Sequence, residues 1–312
     1  MPVATTSKAR QQGDVPHPQA APARPLPGHT DVRESTSARR PPPAGAPALD
    51  RVDLVDLVRP PEHPPCVDHG LAGGLRAWLE DAAAVAAPID GPLRARVVDR
   101  RSLLDPEEVA SQPTAAAPTL LGSIRDELVA IAFRQVLTAG TQRRPFEAAV
   151  AGALVLGRDC ATARLGGLGP TKRRELRSYV ERASATISRQ WRPMPTSWFP
   201  RTGERLRAPL AGGAVVLAAH ADLVVGSPSR AAASVCIVQV AAGSPGVAHQ
   251  RGRQLAAVIE TLRSGVPPWR VATYYPAQGK LDIDDFTDQF VADAVVAVCA
   301  AVKRHRGTSR AA

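Results

Sequence analysis

Between Pro200 and Tyr275 the spacing of apolar residues switches from two to 3.6 and back to two, which confines the segment to an α/β fold. PRTGERLRAPLAGG reads as a strand closed by a Gly-Gly turn, and VVLAAHADLVVG as the strand that follows it. ASVCIVQVAAG contains a continuous apolar run of the kind found in buried central strands. HQRGRQLAAVIETLRSG has helical spacing, and VPPWRVATYY returns to a strand. The stretch just before all of these, Lys172 to Trp191, is predicted to be helical. The expected order is α-β-β-β-α-β around a central mixed sheet, preceded by a helical N-terminal region.

Polar residues inside these strands are the candidates for a site. His220 and Asp222 lie two residues apart and therefore on one strand face. Asp222 also suits a plain strand end ahead of the Gly226-Ser227-Pro228 turn. Gln239 interrupts the apolar run Val235 to Ala241, and a buried amide needs partners, so it either binds a ligand or bonds to neighbouring backbone.

Taken together, HADLVVG and VQVAAG resemble the paired strands of the PD-(D/E)XK nuclease-like superfamily, in its RecB-type branch. In that family one strand carries an Asp, and the next carries an acid, any residue and then Lys, often followed by a small residue and Gly. Asp222 matches the first position and Gly243 the trailing one, but Gln239 stands where the acid belongs and Ala241 where the Lys belongs. The family's two carboxylates hold a hard divalent cation that polarises the phosphate and generates hydroxide. A neutral Gln and an Ala are expected to impair both metal binding and water activation. RecB-type members also carry a Gln in the following helix, matched here by Gln254. The resemblance thus implies a core over residues 170–303 with catalytic positions Asp222, Gln239, Ala241 and Gln254, Asp222 being the metal ligand.

Residues 158–192 hold nine Lys or Arg against three acids, more than half of the chain's net charge of +10. Within TKRRELRSYVERASATISRQWR an apolar face of Leu176, Val180, Ala183 and Ile187 leaves the cations off the buried side. Lys172, Arg173, Arg174 and Arg177 are expected to bind phosphates, with Trp191 and Trp198 either stacking on bases or filling the core.

Residues 1–49, rich in Pro, Ala and Arg without an apolar period, are expected to be a disordered tail. VDLVDLV, residues 52–58, suits either a short edge strand or a peptide docked on the body. Over residues 50–169 three helices are predicted. The first has the face Leu71, Leu75, Trp78, Leu79 and Ala82, and the second Leu121, Ile124, Leu128, Ile131 and Val136. The third opens at Pro145 and runs through Phe146, Val150 and Leu154. A last helix is expected to open on Asp282, Asp284 and Asp285 and to close on Lys303, Arg304 and His305, ahead of a basic tail over residues 304–312.

Several function classes are excluded. No Gly-rich stretch ends in Gly-Lys-Ser/Thr, and neither a serine-hydrolase elbow nor a zinc-protease helix is present. Cys66, Cys160, Cys236 and Cys299 lack paired spacing and are expected to be small buried residues of a reduced compartment. With no apolar run of membrane length and no hydrophobic segment behind the N-terminal charges, a cytoplasmic protein is expected. Two functions follow. One is a catalytically lapsed nuclease-fold protein that binds DNA, RNA or a protein partner through its basic helix. The other is an active Mg2+-dependent DNA nuclease that combines Asp222 with a displaced acid, Glu175, Glu181 or Glu260.

Overall fold

The computed structural model describes residues 53–66, 70–86, 96–104, 120–155, 164–227 and 232–304. The N-terminal tail, Cys160, His305 and the basic tail beyond Arg304 lie outside the described residues.

A six-stranded mixed sheet forms the centre. Its strands are β1 (Arg96–Val98), β2 (Arg201–Leu210), β3 (Val215–Val225), β4 (Cys236–Val240), β5 (Arg270–Tyr275) and β6 (Lys280–Asp285). The helices are α1 (Gly70–Ala86), α2 (Leu120–Ala139), α3 (Pro145–Val155), α4 (Pro170–Gln190), α5 (Val247–Ser264) and α6 (Asp288–Arg304). The order along the chain from α4 to β5 is the helix-strand-strand-strand-helix-strand order that the periodicity predicts.

Two apolar layers sandwich the sheet. One gathers α1, α5 and α6, with Leu79, Leu255, Ile259 and Val298 against Leu206, Leu217 and Ile237. The other gathers α2, α3 and α4, with Leu128, Phe133, Phe146 and Leu176 in one cluster with Leu223, Val238 and Tyr274. Residues 54–58 dock into this second layer with Leu54, Val55 and Val58 buried, as a short 3-10 turn over Asp56–Val58 rather than an edge strand. The Leu54 N–H donates to the Gln190 carbonyl at 3.0 Å.

Several expectations are corrected. The carboxylates of Asp282, Asp284 and Asp285 do not open the last helix. They lie on β6, which forms a hairpin with β5, and α6 starts at Asp288. Leu281 and Ile283 alternate with those acids and pack against the second layer, so a period of two outweighs the helix-start signal. On α1, Trp78 is 53% exposed while Leu75, Leu79, Ala82 and Ala83 are buried. On α3 the buried face is Phe146, Ala149 and Ala153, with Leu154 outside. Cys236 and Cys299 are buried but Cys66 is exposed. Helix α4 packs on α2 and α3 within the second layer.

Candidate functional site

β2 runs along one whole edge of β3, pairing from Arg201↔Val224 to Leu210↔Val215. The other edge of β3 is shared. β1 pairs in parallel with Val215, Val216 and Leu217, and β4 pairs antiparallel with Leu223, Val224 and Val225. Residues 218–222 lie between these two ladders, so the sheet opens there. His220 and Asp222 stand in that opening.

Alternation along β3 also breaks at this point. Ala221 and Val224 belong to the layer of α5, whereas Leu223 and Val225 belong to the layer of α2. Gly203 stands opposite Asp222, between the pairs Thr202↔Leu223 and Glu204↔Ala221, and its φ of +71° is backbone that other residues rarely adopt.

The opening is a cleft of about 450 Å³. The turn after β1 contributes Asp99, Arg100 and Arg101; α2 contributes Ser123, Asp126, Glu127 and Arg134. His220, Asp222, Gln239 and Gly252 complete the wall. Asp222 is 3% exposed, and its Oδ2 accepts the Val240 N–H at 2.8 Å. Its Oδ1 has no hydrogen bond and lies 3.3 Å from His220 Nε2. The Gln239 amide donates to the His220 carbonyl at 3.1 Å and to the Gly252 carbonyl at 3.4 Å, so of its two expected roles backbone bonding is the one observed. Where β3 and β4 diverge, these two side chains replace the missing ladder bonds.

The remaining expected positions fall elsewhere. Ala241 is buried just past β4 and donates its N–H to the Tyr274 carbonyl at 2.9 Å. Gln254 is buried in α5, accepts from Arg251 at 3.0 Å and does not line the cleft. Glu175 and Glu181 are exposed on α4, and Glu260 lies near the end of α5, paired with Arg263 at 3.2 Å. None of the three approaches Asp222 as a cleft neighbour; Asp99, Asp126 and Glu127 do. Asp126 and Glu127 sit in SIRDELVAIAF, where the only sequence signal is two adjacent acids inside a helix, just ahead of its apolar run.

The carboxylates of the cleft are partly engaged by the fold. Asp222 Oδ2 and Asp126 Oδ1 are both taken by backbone N–H groups, the latter by that of Ala242 at 2.8 Å. Among the described residues no group of three or more His, Cys, Asp or Glu is disposed to hold a metal.

On α4, Lys172, Arg173 and Arg174 are exposed, while Arg177 is bound to Glu147 at 2.6 Å and lies over the Phe146 ring. Their positions wind around the first turns rather than forming one face, because at 100° per residue Lys172 is far from Arg174. Trp191 is a core residue, 2% exposed, and is unavailable for stacking on a base. Trp198 is half-buried with Arg59 over its ring at 6.0 Å.

His249, on the first turn of α5, meets the Tyr275 ring edge-on at 5.3 Å. Burial, with Arg100 and Arg253 adding to it, holds the His249 pKa down at about 4, so the imidazole is neutral in the fold. An unfolded chain protonates it near the ordinary 6.5, so its contribution is complete above that pH and is lost as the pH falls toward 4. The gap is worth about 3 kcal/mol. Glu260 opposes this, because burial pushes its carboxyl up: its contribution is present below the ordinary carboxylate range and is lost as the pH rises through the raised pKa. Urea midpoints between roughly pH 4 and pH 7 are expected to fall less steeply toward acid for His249→Gln than for the wild type. Parallel curves would show that His249 does not carry the effect.

No protein-family model matches this chain, and no curated protein matches it at a significant level.

Proposed function

We propose that this protein is a nuclease-like fold protein of RecB type that has lost metal-dependent cleavage and binds nucleic acid through the start of α4. The observation that carries the reading is the charge at that helix terminus. Lys172, Arg173 and Arg174 follow Pro170 in the first turns, the first turn contains no acid, and none of the three is ion-paired with a described residue. Cations at the positive end of a helix dipole cost about 0.3–1 kcal/mol each. Folding therefore gives no reason for them, whereas a polyanion does, since each phosphate that a cation neutralises releases counterions. The loss of cleavage is supported by Asp222 Oδ2 and the Gln239 amide nitrogen, which serve backbone groups at the sheet opening.

Fluorescence anisotropy with labelled single-stranded and duplex oligonucleotides at several salt concentrations tests this reading. Lys172→Glu with Arg174→Glu is expected to weaken binding about tenfold or more for all sequences alike. The log-log salt slope is expected to become shallower by about one for each phosphate that is no longer neutralised. The same variant is expected to unfold at equal or higher temperature, because acids suit that helix end. Wild-type affinity and slope in the variant would remove α4 as the binding element. Added Mg2+ or Mn2+ is expected to produce no cleavage, and metal-dependent cleavage that disappears in Asp222→Ala would overturn that part.

A further inference from the structure

The charges around the sheet opening are unevenly committed. Asp99 Oδ1 accepts from the N–H groups of Arg101 and Ser102 and from the Ser102 hydroxyl, at 3.0, 3.1 and 3.0 Å. Asp126 and Asp222 each accept a backbone N–H at 2.8 Å. Arg100 and Arg101 line the same cleft, yet neither side chain makes an ion pair or a hydrogen bond with a described residue. Asp99, Asp126 and Asp222 thus each spend one oxygen on the fold, while two guanidinium groups make no such bond.

His220 adds a third donor. Its Nε2 lies 3.3 Å from Asp222 Oδ1, an almost fully buried carboxylate oxygen that lacks any hydrogen bond. An imidazolium donates from both nitrogens. One N–H can then meet Asp222, and Nδ1, which bonds to no described residue, is left for a ligand.

We propose that the cleft binds a terminal phosphate of a nucleotide-sized ligand without a metal, with Arg100, Arg101 and His220 as donors and Asp222 positioning His220. A phosphate monoester offers a double charge and three free oxygens to two guanidinium groups and an imidazole, whereas a carboxylate or a phosphodiester offers one charge and two oxygens. Arginine forks suit phosphate oxygens, and about 450 Å³ is within the range of small-ligand sites. Gly252 keeps the space open. A side chain there would meet Gln239 Oε1 at 2.9 Å and Arg100 Cδ at 3.7 Å.

The phosphate could belong to a free nucleotide or to the 5′ end of a strand. Calorimetry on the full chain in EDTA, with inorganic phosphate, adenosine monophosphate and matched 5′-phosphorylated and 5′-hydroxyl oligonucleotides, separates these sources. Inorganic phosphate and the nucleotide are expected to compete for one site. Arg100→Gln and His220→Gln are each expected to weaken that binding about tenfold or more. A preference for the phosphorylated over the hydroxyl oligonucleotide assigns the strand end, and tighter binding of the mononucleotide assigns the free nucleotide.

Asp222→Asn is expected to weaken phosphate binding and to remove the phosphate-induced change in the His220 ring signals by NMR, which a purely structural role would not do. Lys172→Glu with Arg174→Glu is expected to leave inorganic-phosphate binding unchanged, so failure of the α4 reading and failure of the cleft are distinguishable. Absence of saturable phosphate and nucleotide binding, or binding unaltered in folded Arg100→Gln and His220→Gln, would overturn the proposal.

Discussion

Trp191→Ala is expected to lower the stability of the folded chain by about 4 kcal/mol, within the range for emptying a large buried aromatic site. Trp191 ends α4 and stands edge-on to Phe133 of α2 at 4.9 Å and to Tyr274 of β5 at 5.3 Å. The Tyr274 hydroxyl donates to Gln190 Oε1 at 2.7 Å, and the Gln190 amide donates to the Gly279 carbonyl at 3.0 Å. Three elements and the β5–β6 turn therefore converge on one ring, and their backbones are too constrained to collapse into the space it leaves. Urea denaturation followed by circular dichroism measures the destabilisation. Trp191→Phe is expected to show about half of it, because a smaller ring keeps part of the packing. A destabilisation below about 1 kcal/mol for the alanine variant would show that the aromatic cluster does not anchor α4.

Gly226→Ala is expected to cost more than about 3 kcal/mol for two separable reasons. At a φ of +99° an L side chain is strained. In addition, a Cβ would lie 2.0 Å from the Ser234 carbonyl oxygen, which is backbone and cannot swing aside. Ser234 immediately precedes the run into β4, and the Gly226 N–H donates to the Trp198 carbonyl at 2.7 Å. Relieving the clash must shift the start of β4 against β3, which is where the short ladder Leu223–Val225 with Cys236–Val238 holds one side of the sheet opening. Gly243→Ala is the control. It is exposed with nothing within 4 Å, and a change of less than about 0.5 kcal/mol is expected there. Equal midpoints for the two variants in a thermal melt would contradict the close approach at Gly226.

The two faces of the phosphate reading are independent. The start of α4 acts through charge at a helix end, and the sheet opening through donors left over once Asp99, Asp126 and Asp222 have satisfied backbone groups. Lys172→Glu with Arg174→Glu tests one, and Arg100→Gln with His220→Gln tests the other.

What the sequence by itself determined is what depends on short-range spacing. The Gly-Gly turn between β2 and β3, the apolar run of β4, the helical period of α5 and the buried face Leu176, Val180, Ala183 and Ile187 of α4 are all visible within a few residues of themselves. The shared face of His220 and Asp222 is also a consequence of a period of two, and the structure places the pair 3.3 Å apart. Tertiary structure decided the rest, because it concerns groups distant along the chain. β1 is three residues long, too short for any period, and exists as a strand only through its pairing with Val215–Leu217. Val98 and Val240 end two strands on the same edge of β3, and only that divergence creates an opening for Asp222 to face. Asp126 reaches Ala242 across 116 positions, and Gln239 reaches His220 across 19, so no local pattern reveals which acids are spent on backbone. Trp191 could have been a surface platform or a core residue by composition alone. Phe133 and Tyr274, brought in from other elements, made it core, since burying all three rings together removes more apolar surface from water than any exposed arrangement.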